Sequence, residues 1–513
     1  MSERKSKLRE GLTTRRLLVI LLCIAGFAMA LREIHDPDLW WHLATGRYIW
    51  EQRQIPRVDV FSHTMRGTRW YTHEWLAEVI FYGLYRLGGE AALIVGAAGI
   101  VALTLMTLYA QCQSRPYAAA FVVILGAVAS AITWGVRPQM FTFLFAALYM
   151  GLIEKYRQRM NDQKQISSTD SIDEDGQKIR ANPFNPLNFL HSDVGLLCAF
   201  PLLMIVWVNA HGGYFLGLAL LAGVICGDGL ARLVGWVSPR TLSWAALRAL
   251  GIALGGCVLA TLINPNGYHM LWYPFETLTS SAMQTYIQEW ASPNFHNSDF
   301  WPFAALLLGG AALMVGLRHR PDLTDGLLFF GLGGAGLLSA RHIPLFVVIA
   351  VPVVSRALTA AKVPQSRRNF TALNWAILAL ALLATGARLY VVLEKNRADR
   401  ATRYPQAALA YIESHGLRDA AIYNSYKWGG YLVWQDIPVF IDGRADVYGD
   451  AFIEQFLTAY FVRPGWRAAL DAYRPDYVLI EARATLAVLL DEAPEWERVY
   501  TDDVSVIFVR ETK

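Results

Sequence analysis

The sequence predicts a polytopic α-helical membrane protein of about eleven transmembrane helices, followed by a small α/β domain outside the membrane. Three observations lead there. Of its 513 residues, 54% are hydrophobic and only 17% are charged. Apolar runs suited to a bilayer core of about 30 Å recur from residue 15 to residue 393. Beyond residue 393 that pattern gives way to short β-branched runs alternating with amphipathic ones.

Residues 1 to 14 are basic and read as a cytoplasmic N-terminus. The apolar run from 15 to 31 ends in MALREIHD without a small-residue cleavage site, so it reads as a retained first span and not as a signal peptide. Residues 32 to 89 form the first outer loop. It opens with REIHDPDLWWHLATGR, where Asp36 can cap a helix whose first position is Pro37, with Asp38, His42 and Thr45 following on one face. It closes with THEWLAEVIFYGLYRLGG, whose Trp75, Leu76, Val79, Ile80, Leu84 and Leu87 share a face, so a helix lying in the membrane interface is expected. Packing accounts for that helix, and Glu74 and Glu78 point away from its apolar face.

Further spans are predicted at about 90 to 112, 117 to 134, 139 to 154, 194 to 210, 214 to 234, 245 to 263, 300 to 317, 323 to 339, 342 to 358 and 371 to 393. With the N-terminus inside, Arg115, the Lys/Arg cluster of 155 to 180, Arg240, Arg318, Arg320, Lys362, Arg367 and Arg368 all fall in inner loops, as the positive-inside rule requires. The outer loop 264 to 299 has no Lys or Arg. The inner loop 155 to 192 is polar and turn-rich, and reads as a flexible connection without chemistry. An odd number of spans leaves residues 394 to 513 outside. There AAIYN, VFIDGR, YVLIEA and VSVIFVR predict strands, and 405 to 415, 450 to 461, 465 to 473 and 484 to 491 predict helices.

Composition also excludes. A net charge of +4 is too small for a nucleic-acid partner, and the basic residues are distributed as topology signals. Cys23, Cys112, Cys198, Cys226 and Cys257 all lie in or at the edge of apolar runs, with no spacing for zinc and no disulfide framework. GxGxxG after a strand, GxxxxGK[ST], HExxH and GxSxG are all missing.

The informative residues are polar ones at the outer ends of spans, where ionisable groups are costly. Arg137 in GVRPQM and Arg341 in SARHIPLF occupy short outer connections against the positive-inside trend, and either guanidinium is suited to grip a lipid phosphate. Snorkelling alone accounts for one such arginine as well as a site does. On the same side lie His211 in NAHGG, Glu289 and Trp290 in QEW, and the NPNG turn of 264 to 267. Capping explains an Asp-Pro pair; it does not explain the second acid, Asp38, with His42 on the same face.

A multi-span chain with an acidic motif in its first outer loop and an outer C-terminal domain resembles the GT-C membrane glycosyltransferases. DPDLWWHLAT is similar to the acidic motif of the oligosaccharyltransferase catalytic subunit, and NSYKWGGYLVW loosely resembles that subunit's WDYG-type motif, departing at Lys427 and Gly429. The resemblance implies an inverting transferase that moves a sugar from a polyprenyl-phosphate carrier to a lipid, glycan or protein acceptor on the outer side of a bacterial inner membrane. Asp36 would then be the catalytic base or the carboxylate that positions the acceptor, Asp38 a second carboxylate, and Arg341 or Arg137 the ligand of the donor phosphate. His42, His211, Glu289, Trp290 and His342 would line the substrate site, and Tyr426, Trp428, Asp442 and Arg444 would meet the acceptor. A divalent ion, Mg or Mn, could sit among Asp36, Asp38 and Glu289. Two readings from other classes are a lipid or polysaccharide transporter and a non-catalytic scaffold that presents the aromatics of YKWGGYLVW to a partner.

Overall fold

The computed structural model describes residues 12–168, 192–279, 288–316, 322–360 and 371–511. Its N-terminal part is a helical bundle: α1 (Thr14–Ala30), α2 (Leu39–Gln52), α3 (Trp75–Gln111), α4 (Pro116–Ser130), α5 (Gln139–Ser168), α6 (Asp193–Ala210), α7 (Phe215–Leu233), α8 (Trp244–Thr261), α9 (Tyr273–Thr279), α10 (Trp301–Gly316), α11 (Leu323–Leu338), α12 (Ile343–Ala357) and α13 (Thr371–Arg403). Short polar residues start several of them. Thr13, Ser192, Ser243 and Asp322 each accept a backbone N–H with the side chain at the N-cap, satisfying a donor that the first turn leaves open.

Each of the eleven predicted spans coincides with a helix to within a few residues at its ends. Eight stretches are long and apolar enough to cross a membrane by length and composition: Trp75–Gln111, Pro116–Thr133, Asp193–Ala210, Gly212–Leu233, Trp244–Thr261, Ser298–Gly316, Ala340–Ala357 and Thr371–Arg403. The other three predicted spans coincide with α1, α5 and α11. The interfacial helix and the second span form one run, α3, broken at Gly88 and Gly89; Gly89 has φ 60° and ψ −149° there, a conformation open only to glycine.

The bundle is organised around α12, which is buried along nearly its whole length and packs against α4, α5, α10 and α11. The last helix, α13, is the opposite case. It leans on α1 and leaves Leu380, Leu382, Leu383, Tyr390 and Val391 exposed, as a lipid-facing helix does. At the end of the bundle away from the C-terminal domain, three arginines and three acids interlock. Arg157 reaches Asp228 at 2.8 Å, Arg240 reaches Glu154 at 2.6 Å, and Arg356 reaches Asp325 at 2.7 Å. This network corrects the reading of the inner loop: α5 continues helically to Ser168, because Glu154 and Arg157 turn one helical face into the buried cluster. Residues 169–191 of that loop lie outside the described residues.

The C-terminal part contains α14 (Gln406–Ser414), β1 (Ile422–Asn424), α15 (Tyr426–Trp434), α16 (Ala445–Tyr460), α17 (Trp466–Asp471), β2 (Tyr477–Glu481), α18 (Thr485–Asp491), β3 (Trp496–Thr501) and β4 (Ser505–Arg510). The sheet order is β1-β2-β4-β3, with β1 parallel to β2 and the other pairs antiparallel; Tyr423 pairs with Val478, and Val478 with Phe508. Two predictions fail here. VFIDGR is a loop, because the Asn424 side-chain amide takes the place of a neighbouring strand by accepting from Phe440 N–H and donating to the Ile441 carbonyl, each at 2.8 Å. WERVYT is a strand the pattern did not reveal, since it is a sheet edge whose outward Glu497 and Arg498 mask the alternation.

The apolar cores of the two parts run across the boundary between them. Outer-loop residues Leu39, Trp40 and Leu43 share one apolar cluster with Trp428, Leu432 and Val439, and Trp70 belongs to the cluster beneath the sheet.

Candidate active site

The site forms where the first outer loop, the 134–138 connection and the residues around Glu289 meet under the C-terminal domain. Asp36 is not the cap of α2, as the sequence suggested. The helix starts at Leu39 with Asp38 at the cap position, and Asp36 Oδ1 accepts the Asp38 N–H at 3.0 Å, closing a turn around Pro37. Asp36 Oδ2 is then left facing the bundle, 2.5 Å from Arg137 Nε. Arg137 Nη1 binds Glu289, so one guanidinium bridges carboxylates that are remote in sequence. Burial raises the Asp36 carboxyl above the usual range while Arg137 opposes the shift, and Arg137 stays charged between its two acids despite being buried.

Asp38 is covered. A Cβ on Gly443 would fall 1.8 Å from Asp38 Oδ1, so the DGR turn can lie on this carboxyl only with glycine there. Burial, reinforced by the neighbouring Asp36 carboxylate, pushes Asp38 up to about 8.

Beside these acids is a buried polar cluster whose centre the sequence reading did not select. Glu74 Oε1 lies 3.3 Å from His73 Nε2 and 3.4 Å from His211 Nε2, and its Oε2 lies 3.8 Å from His42 Nε2. The other nitrogen of His42 is 3.3 Å from Glu78. Gly213 N–H donates to His211 Nδ1 at 2.9 Å, which fixes that nitrogen as an acceptor and places the imidazole proton on Nε2, toward Glu74. Burial lowers His211 to about 4 and His42 to about 3, so both are neutral. His73 is raised because Glu74 outweighs its burial, and Glu74 is lowered by His73, His211 and His42. The cluster is therefore an ionised Glu74–His73 pair flanked by two neutral imidazoles. Tyr273 Oη closes it, 3.1 Å from His73 Nε2. The local sequence signal is THE at the entry to a span, which supplies His73; the other two histidines around Glu74 come from α2 and the α6–α7 turn, which helix periodicity does not bring together.

Of the two outer arginines, Arg137 is neutralised and Arg341 is not. The Arg341 guanidinium lies 4.5 Å over the Trp290 ring and makes no ion pair or hydrogen bond among the described residues, while the Glu289 and Glu74 carboxylates act on it from farther away. Trp290 Nε1 is buried without an acceptor. His342 turns away, with Nδ1 3.3 Å from the Ala335 carbonyl at the end of α11.

In the C-terminal domain, Asp442 and Arg444 are fully buried. Arg444 binds Asp442 at 2.6 Å and Asp59 of the outer loop at 2.6 Å, and stacks over Trp70 at 4.7 Å. Trp428 is 1% exposed and donates to the Arg403 carbonyl at 2.8 Å. These residues join the two parts of the chain and present no face to solvent. The partner surface expected of YKWGGYLVW is absent for the same reason, since Tyr431 packs on Trp40 and Tyr404. Tyr426 is the exception: it lies beside the Asp38 and Asp442 carboxylates, which together with burial raise its phenol.

Among the described residues, no three His, Cys, Asp or Glu side chains are arranged to hold a metal ion. For Asp36, Asp38 and Glu289 the reason is geometric: a guanidinium fills the place of a cation between the first and third, and Asp38 lies beneath Gly443.

No family model matches the chain, and no curated protein matches it in sequence. Solved structures do match in fold. ArnT from Cupriavidus metallidurans, bound to undecaprenyl phosphate, superposes with a TM-score of 0.52 at 14% identity over 96% of this chain and 97% of that one. In its apo state the TM-score is 0.53 at 13% identity, with the same coverage. The apo oligosaccharyltransferase of Archaeoglobus fulgidus gives 0.52 at 12% identity over 91% of this chain and 69% of that one. The chain thus has the GT-C fold of membrane glycosyltransferases over nearly its whole length.

Proposed function

We propose that the chain is an inverting glycosyltransferase, taking a sugar from a polyprenyl-phosphate carrier and passing it to an acceptor on the outer side of the membrane. The observation that carries this reading is the arrangement around Glu289: it pairs with Arg137, which orients the Asp36 carboxylate, and its charge also reaches Arg341, a guanidinium that makes no ion pair of its own among the described residues. Asp36 takes the proton of an acceptor hydroxyl as its oxygen bonds to the sugar C1. The C1–O bond to the carrier breaks, and the phosphate leaves with the electron pair, its charge met by Arg341 and the idle Trp290 N–H. Arg137 and Glu289 hold Asp36 in place, and the Glu74 cluster keeps the wall of the site polar and rigid.

The reading is supported by neighbours that share the fold across nearly the whole chain, one of them bound to undecaprenyl phosphate. The test is release of undecaprenyl phosphate from undecaprenyl-phosphate-linked sugars by the purified chain. Asp36→Asn should lower turnover by about a hundredfold or more, the size of a lost general base, with an unchanged melting profile. Arg341→Gln should raise KM for the donor by about tenfold, as loss of a charge-assisted bond does. Full turnover by Asp36→Asn would remove the assignment.

A further inference from the structure

A second arginine at the edge of the bundle makes no close ion pair among the described residues, with Glu33 and Asp299 acting on it only from farther away. Arg32, just after α1, donates from Nε to the Met29 carbonyl at 3.3 Å and from Nη1 to the Ala131 carbonyl at 2.5 Å, and has no carboxylate in ion-pair range among the described residues. Arg388 of α13 reaches the same helix end, donating to the Ala28 and Leu31 carbonyls at 2.5 and 3.1 Å. The two guanidinium groups are near enough to repel each other. Cations at a helix C-terminus answer its carbonyls, which accounts for these bonds. It does not account for what lies across from Arg32. The Trp134 ring, 6% exposed, sits 5.7 Å below the guanidinium, and its Nε1–H is buried with no acceptor.

Arg32 and Trp134 line a cavity of about 360 Å³ whose other walls include Glu33, which pairs with Lys395, and Asp36, Arg137 and Glu289. Arg32 and the Trp134 indole thus share, with the Asp36 carboxylate, the walls of a space of the size that takes a small polar headgroup. Nearby, α13 exposes Leu383, Tyr390 and Val391 around Arg388, so an anion approaching along this edge would travel on a membrane amphiphile. Arg341 does not line the cavity.

We propose that this cavity binds the phosphate of a membrane amphiphile, with Arg32 and Trp134 Nε1–H as its donors, and that the amphiphile is the acceptor, which presents a headgroup hydroxyl to Asp36. The binding site stands on its own geometry; naming its occupant the acceptor rests on the transferase reading above. The phosphate could come from a lipid headgroup or from the donor's carrier, and the two sources are separable by experiment.

The purified full-length chain is titrated in detergent with short-chain phosphatidic acid, with undecaprenyl phosphate, and with diacylglycerol as the phosphate-free control. Trp134→Phe keeps the ring and removes the N–H, and should weaken phosphatidic acid binding about threefold. Arg32→Gln should weaken it about tenfold, and Arg32→Lys by less. All three should bind undecaprenyl phosphate as the wild type does, and diacylglycerol should bind none of them. Unchanged phosphatidic acid affinity in the Trp134 and Arg32 variants overturns the site. A loss confined to undecaprenyl phosphate overturns the acceptor assignment and gives the cavity to the carrier. Arg341→Gln reports separately: if it leaves undecaprenyl phosphate binding intact, the donor role of Arg341 fails while the cavity stands.

Discussion

Asp38 has lost water to the Gly443 turn on one side and faces the Asp36 carboxylate on the other, so its charged form is disfavoured twice. The folded chain therefore binds this proton more tightly than the unfolded chain, where an aspartate titrates near about 3.9. The contribution to stability is complete below that value and is lost as pH rises through about 8. The melting temperature of the wild type should fall between about pH 6 and about pH 9, and that of Asp38→Asn, uncharged throughout, should fall less. Equal falls would show that Asp38 is already ionised in the fold. At this scale the sequence told much. Asp36, Arg137 and Glu289 were legible as polar residues at span ends, and they do converge. Which arginine keeps its charge available was not legible, because that depends on Glu289 reaching Arg137 and leaving Arg341 on Trp290.

Among the elements, each apolar run the hydropathy pattern picked out coincides with a helix, and eight of these are long and apolar enough to cross a membrane, since burial in lipid requires long apolar runs and little else imitates them. Short elements in the C-terminal domain were less legible. VFIDGR has the residues of a strand but pairs only once, through the isolated bridge of Val439 to Ser62, and beyond it Asn424 satisfies the backbone from the side. The break in α3 was legible in part, as a Gly-Gly pair between an interfacial helix and a span. The structure adds that the two glycines differ. Gly89 has φ 60° and ψ −149°, whereas Gly88, with φ −163°, has an extended backbone open to any residue. Gly89→Ala should cost about 1–3 kcal/mol, read as a lower melting temperature. Gly88→Ala should cost less, since its new Cβ meets only the Ala92 Cβ, at 3.1 Å, and a shift of a few tenths of an ångström relieves it. A break that tolerated alanine equally at both positions would mean that α3 can straighten. The segment before it carries Glu74 and Glu78, so the angle of the break also sets where the histidine cluster lies.

For the whole molecule, the consequential finding is that the C-terminal domain and the first outer loop fold as one body. Composition marked a boundary near residue 393, but α13 runs on to Arg403, and both apolar clusters of the C-terminal part include outer-loop residues. Arg444 is the polar centre of this seam, with Asp59 from one side, Asp442 from the other, and the rings of Phe61 and Trp70 against its guanidinium. A buried ion cluster of this kind stabilises little compared with apolar packing, yet breaking it is costly, because the charges left behind have no water. Arg444→Met should therefore destabilise the chain by about 3–5 kcal/mol, leaving two carboxylates facing each other in the seam. Thermal melting in detergent measures this, and limited proteolysis should show the 59–70 segment and the DGR turn opening together. Replacing Asp59 and Asp442 by Asn in the same chain should recover much of the loss, since the triple variant buries no net charge. The Gly443 turn that covers Asp38 is the neighbour of Arg444, so loosening the seam should also return water to Asp38 and move its titration down toward the ordinary carboxylate range. A variant that melted as the wild type would show that the two parts are held by their apolar contacts alone, and that the cover over Asp38 is independent of the ion cluster beside it.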